Sequence, residues 1–143
     1  MITAMVTGSN GQLGKCLQDI ATNEASVRWI FKSSEELDIT NTVSVTNIFK
    51  NNKIDYLVNC AAYTAVDKAE SEPEKAFLVN AEGVRLLASA CKEYNATLIH
   101  ISTDFVFDGE KTTPYSEIDI PNPINIYGAS KLKGEQYIKG ILE

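Results

Sequence analysis

The sequence predicts an α/β fold: a doubly wound parallel sheet with helices on both faces. Three observations predict it. Short β-rich runs alternate along the chain with stretches of helical spacing. The runs are apolar at consecutive positions, as strands buried on both sides are. The first run passes directly into a glycine-spaced turn and then a helical pattern, the opening of a βαβ unit.

Taken in order, Ile2–Val6 is the first strand. Gln12–Ala21 reads as a helix with Leu13, Leu17 and Ile20 on one face. Val27–Phe31 is a second strand, with Trp29 expected in the core. Val43–Asn51 reads as a helix, and residues from Asp38 to Thr42 offer its cap. Tyr56–Val58 is a short buried strand. Pro73 belongs in the first turn of a helix running to about Tyr94, with Ala76, Val79, Val84, Leu87, Ala88 and Cys91 as its apolar stripe. The charged run Asp67, Lys68, Glu70, Glu72 and Glu74 reads as a solvated helix start. Thr97–Ser102 is the next strand, with His100 as a satisfied structural histidine. A turn-rich loop covers Asp108–Asn125, and a last helix starts near Tyr127. No repeat or linker interrupts the pattern, so residues 1–143 read as one domain.

The net charge of −6 argues against nucleic acid or an anionic membrane as partner, since both need a basic face. No apolar stretch approaches the roughly 20 residues of a membrane span. The N-terminus has neither the basic region nor the cleavage site of a signal peptide. Cys16, Cys60 and Cys91 are scattered, with no paired spacing for zinc. Reduced thiols in a cytoplasmic protein fit best.

In open parallel sheets ligands bind beyond the carboxyl ends of the strands. After the first strand comes Thr7-Gly8-Ser9-Asn10-Gly11-Gln12-Leu13-Gly14. This Gly-x-x-Gly-x-x-Gly turn suits a pyrophosphate: Gly8 for the tight turn, Gly11 for close backbone approach, Gly14 for helix packing. The amides of Asn10, Gln12 and Leu13 and the positive end of the helix dipole would face the phosphates. A tight turn that simply needs glycine is the bland alternative. The reading makes the fold Rossmann-like.

The second strand ends in Phe31-Lys32-Ser33-Ser34. An acidic residue there would select NAD; a cation with hydroxyls suits the 2′-phosphate of NADPH. NADPH or NADH is therefore the expected cofactor, with NADPH favoured, unless Lys32 is merely a solvated charge. Asp38 and Ile39 could meet the adenosine end, or Asp38 could cap a helix.

The fourth strand leads into Thr103-Asp104, and Tyr127 precedes Lys131 by one helical turn. A phenol with its usual pKa near 10 is a reluctant acid; a lysine ammonium on the same helix face favours the phenolate and lowers that value. Such a tyrosine can give its proton to a carbonyl oxygen, which the Thr103 hydroxyl can orient.

These features resemble the extended short-chain dehydrogenase/reductases. More narrowly, three blocks resemble the dTDP-4-dehydrorhamnose reductase family: residues 59–70, beginning Asn59-Cys60-Ala61-Ala62-Tyr63; residues 102–109, beginning Ser102-Thr103-Asp104-Phe105; and residues 125–135, containing Tyr127-Gly128-Ala129-Ser130-Lys131. The resemblance covers essentially the whole chain. It implies reduction of the 4-keto group of a dTDP-linked 4-keto-6-deoxy sugar. It implies Thr103, Tyr127 and Lys131 as the catalytic set, and Ala61, Ala62 and Tyr63 along the cofactor together with Tyr127 and Lys131. Thr103, Asp104 and Phe105 would meet substrate, and Asn80 would support the site from its helix. Phe105 stands where relatives often have tyrosine. Cys16 stands where some relatives carry a glutamate that helps bind magnesium between subunits. No metal ligand is therefore assigned, and a homodimer would not rest on that metal. Relatives are about twice as long, so the fold is expected to be incomplete on its C-terminal side, without the substrate-gripping domain. An isolated chain of this length is expected to be a weak or inactive reductase. A related nucleotide-sugar epimerase or dehydratase would share the glycine turn and the Tyr/Lys pair. A non-catalytic NADP-binding regulatory subunit, like that of methionine adenosyltransferase, would share the cofactor site.

Overall fold

A computed structural model describes residues 1–143. Strands β1 (Ile2–Thr7), β2 (Val27–Lys32), β3 (Tyr56–Asn59) and β4 (Thr97–His100) form one sheet in the order β2-β1-β3-β4. Every neighbouring pair is parallel. The chain leaves β1 to one side for β2, then returns past β1 to lay down β3 on the other. Right-handed crossovers put the connecting helices on opposite faces. These are α1 (Gln12–Ala21) and α2 (Thr42–Asn51). The doubly wound α/β expectation holds, and the direction reverses between β1 and β3.

Burial explains the consecutive apolar runs. In β1 every residue after Ile2 is buried, so both faces of this central strand are covered. On one face Met5 and Leu57 pack against Val45 and Phe49 of α2 and against Leu87 and Cys91. Trp29 departs from expectation: it is half-buried on edge strand β2 and stacks on Phe31 at 5.8 Å between ring centroids.

A short separate helix, α3 (Val66–Ala69), precedes the one expected from Pro73 to Tyr94, which is continuous but not α-helical throughout. It opens as α4 (Pro73–Phe77). A π-helical stretch, Leu78–Gly83, then leads into α5 (Val84–Tyr94). The wider π winding turns Asn80, Ala81 and Gly83 all inward. α5 ends at Asn95, which takes the left-handed conformation of a helix stop, φ 55°.

β4 ends at His100 rather than Ser102. The Ile101 carbonyl accepts a hydrogen bond from Lys131 at 2.5 Å instead of extending the ladder. A single 3-10 turn follows at Asp104–Val106. The last helix, α6 (Ile126–Leu142), is capped by the Asn125 side chain, which accepts from Gly128 N at 2.7 Å. Its buried face is Tyr127, Gly128, Ser130, Lys131 and Gly134. No helix is long and apolar enough to cross a membrane.

Candidate active site

A cavity of about 670 Å³ opens where β1, β2 and β3 end. That is the crevice where the strand order reverses. The turn after β1 supplies Gly8, Asn10, Gly11, Gln12 and Leu13 to its wall. The segment after β2 supplies Ser34, Leu37, Asp38, Ile39 and Thr40, and the segment after β3 supplies Cys60, Ala61, Ala62, Tyr63 and Thr64.

The glycine turn is built for a close approach. Gly8 has φ +65°, and a Cβ there would lie 2.6 Å from Ala61 N. Only glycine lets the turn rest on the chain leaving β3. The first hydrogen bond of α1 runs from Lys15 N to Gly11 O at 3.0 Å, and no side chain caps the helix. The amides of Gln12, Leu13 and Gly14 are thus left to a ligand, at the positive end of the dipole. An apolar-walled cleft with such amides at one end fits a dinucleotide.

At the end of β2, Lys32 does not line the cavity. Its Nζ lies 3.7 Å from Glu36 Oε1, and Ser33 N donates to Glu36 Oε2 at 2.9 Å. Glu36 folds back on the strand end, so Ser34 reaches the wall instead. Asp38 lines the wall and accepts from Thr40 N and Oγ1 at 2.9 and 2.7 Å. It does not cap α2; Asn41 does, accepting from Ser44 N at 3.0 Å.

Two asparagines that sequence reasoning underweighted organise the floor. Asn59 Oδ1 accepts from Thr7 Oγ1 at 2.6 Å and from Ala61 N at 3.2 Å. Its amide nitrogen therefore donates to His100 Nδ1, 3.0 Å away, and the imidazole proton sits on Nε2. Nε2 is buried with no partner, so His100 is only half satisfied, against expectation. Burial first and the charge of Lys131 second push His100 down to about 4, keeping it neutral near pH 7. Asn80, 1% exposed, accepts from Tyr63 N at 2.8 Å and donates to Tyr63 O and Ser130 Oγ, both at 3.0 Å. One side chain thus clamps the cavity wall to α6. The Tyr63 hydroxyl is anchored separately, donating to Glu72 at 2.8 Å.

Thr103, Tyr127 and Lys131 lie outside the large cavity, where the end of β4 meets α6. Thr103 heads the 3-10 turn, and its Oγ1 accepts from Phe105 N at 3.2 Å. That turn rests on the first turn of α6 at Gly128, where a Cβ would lie 2.1 Å from Phe105 O. Tyr127 is buried, edge-on to Phe105 at 5.6 Å between centroids. Lys131 is 2% exposed, and burial pulls its ammonium down to about 8 against the opposing pull of Glu135. Asp104 and Phe105 line a second cavity of about 240 Å³ with Phe107, Asp108, Tyr115, Ile124 and Asn125. The turn-rich sequence of this loop had given no sign of those other walls.

Residues 2–143 match the family described as the RmlD substrate binding domain. The chain belongs to this family. Among RmlD-family relatives it is similar to dTDP-4-dehydrorhamnose reductase of Aggregatibacter actinomycetemcomitans, 41% identical over 138 residues, 96% of this chain and 47% of that protein. A crystal structure of a dTDP-4-dehydrorhamnose reductase from Clostridium acetobutylicum superposes with a TM-score of 0.95 at 41% identity, covering 98% of this chain and 50% of that one. The Bacillus anthracis reductase, solved in complex with NADP, gives 0.94 at 42% identity, covering 99% and 50%. The chain spans about half the length of the curated RmlD-family relatives it matches.

Proposed function

We propose that this chain is the dinucleotide-binding part of an NADPH-preferring reductase, one that converts dTDP-4-dehydro-L-rhamnose to dTDP-L-rhamnose. The observation that carries the reading is Lys131: a cation buried at the end of β4, one turn after Tyr127, beside a cleft walled by the glycine turn. A buried ammonium held by one carbonyl and by no salt bridge is costly, and marks a functional site more often than a structural one. The relative solved with NADP supports the cofactor class.

In this reading the amides after Gly11 hold the pyrophosphate, Asp38 and Ile39 face the adenosine, and Ala61, Ala62 and Tyr63 face the nicotinamide half. The bound reduced nicotinamide supplies hydride to the carbonyl carbon. Thr103 Oγ1 accepts from Phe105 N and donates to Asp104 Oδ1 at 3.3 Å, a long bond that its proton would leave to hold the substrate carbonyl oxygen. Tyr127 gives that oxygen its proton and regains one from solvent. Lys131, on the same helix face, stabilises the phenolate left behind. Asp104 and Phe105 meet the sugar from the second cavity.

Calorimetric titration with NADPH and NADH tests the cofactor step: saturable binding, tighter for NADPH, is expected, and no binding of either refutes it. The reaction is tested by joining residues 1–143 to the remaining half of the A. actinomycetemcomitans reductase and following NADPH consumption with the 4-keto sugar. Tyr127→Phe should lower kcat at least ~100-fold with cofactor affinity little changed. Retained turnover sinks the role of Tyr127.

A further inference from the structure

The end of β4 grips α6 at two adjacent points. Ile101 O takes the Lys131 ammonium at 2.5 Å. The next residue, Ser102, donates from Oγ to Glu135, one helical turn beyond Lys131. Glu135 is half-buried and on the same helix face as Lys131.

Burial drives Lys131 towards the neutral amine, and the Glu135 carboxylate pulls the other way. Other charged groups around this helix do not do so. His100, on β4, is kept neutral by burial first and by the Lys131 charge second. Glu70 is engaged by Ile126 N, Glu82 by Arg85 and Tyr137, and Asp104 by Thr103. We propose that Glu135, pinned by Ser102, is a positioning residue that keeps Lys131 charged within the site. The proposal rests on the reductase reading, which is what requires a cation there.

The test is an NMR titration of the 143-residue chain carrying isotope-labelled lysine, with the Lys131 signal identified by its loss in Lys131→Arg. The wild-type midpoint is expected at about 8. Glu135→Gln should lower it by about one unit, a roughly tenfold loss of the ammonium form above the new midpoint. Glu135→Asp should restore most of that shift, and Ser102→Ala should lower the midpoint by less. An unchanged midpoint in Glu135→Gln overturns the proposal. Should that variant fail to fold, Ser102→Ala decides: a lower midpoint supports the proposal and an unchanged one overturns it. NADPH affinity measured against pH is the second readout, and its alkaline loss should move to lower pH in Glu135→Gln. Failure of the wild-type chain to bind NADPH would count against the cofactor reading alone, because the lysine midpoints are read without cofactor.

Discussion

Replacing Asn80 with alanine strips three hydrogen bonds from two elements at once. Tyr63 N and O lose their partner, and Ser130 Oγ loses a donor. A typical neutral bond contributes about 1 kcal/mol net, and a buried group left unpaired costs about 1–3 kcal/mol. The Tyr63 groups are part-buried, so water recovers a share of their loss. Ser130 is fully buried, but its hydroxyl keeps Tyr127 O as acceptor at 2.7 Å. About 1 kcal/mol for each Tyr63 group, with a similar amount for the void left by the truncated side chain, gives on the order of 3 kcal/mol. For a chain of this size that is roughly a 10 °C fall in Tm. Urea unfolding followed by circular dichroism measures the stability, and an NADPH titration measures the site. Both should weaken, because Tyr63 is part of the cavity wall. A loss below about 1 kcal/mol with unchanged cofactor affinity would refute the idea that this side chain clamps the wall to α6.

Four further outcomes follow from the geometry. Gly8→Ala forces a Cβ to within 2.6 Å of Ala61 N at φ +65°, so it should cost a few kcal/mol and abolish NADPH binding in the same titration. Lys32→Ala should weaken NADPH by less than ~10-fold, since its ammonium is turned towards Glu36; loss of all preference over NADH would show that Lys32 reaches the ligand. His100 binds its proton near 4 when folded and near 6.5 when unfolded. The unfolded chain therefore holds more protons between those values, and stability should fall as pH drops through that window, less steeply in His100→Gln. Lys131 loses its proton near 8 when folded and 10.5 when unfolded. Stability should thus rise from pH 8 to 9, offset in part by the unfolded thiols of Cys60 and Cys91, which titrate near 9 while burial raises both in the fold, and Lys131→Met should remove that rise in pH-dependent melts.

The sheet, its surrounding helices and the glycine turn were legible because burial imposes simple periods on them. β1 is covered on both faces and reads as a β-rich run in which only Thr3 and Thr7 are polar. The π stretch was not read, yet it left a trace: in the apolar stripe, Val79 is followed next by Val84, a step of about 140° on an α-helix. The buried side of α6 defeats hydrophobic periodicity, since it is made of glycines, a serine and a lysine around one tyrosine. Tyr127 and Lys131 were legible from their one-turn spacing and chemistry, and the resemblance narrowed their role. At Lys32 a charge at a strand tip shows its sign in the sequence but not its partner. Glu36 stands four residues on, and only the turn between them brings the two together.

The all-parallel sheet also governs how the chain must be made. No strand has a hairpin partner, so each pairing waits for an intervening crossover. On a ribosome β1 can meet β2 as soon as Lys32 emerges, but its other edge stays bare until Asn59 has been synthesised. During that interval the most fully buried strand of the finished protein offers an open ladder to any neighbouring chain. Slowing translation between residues 33 and 55 should therefore raise aggregation of nascent chains, where the same delay after residue 100 would not.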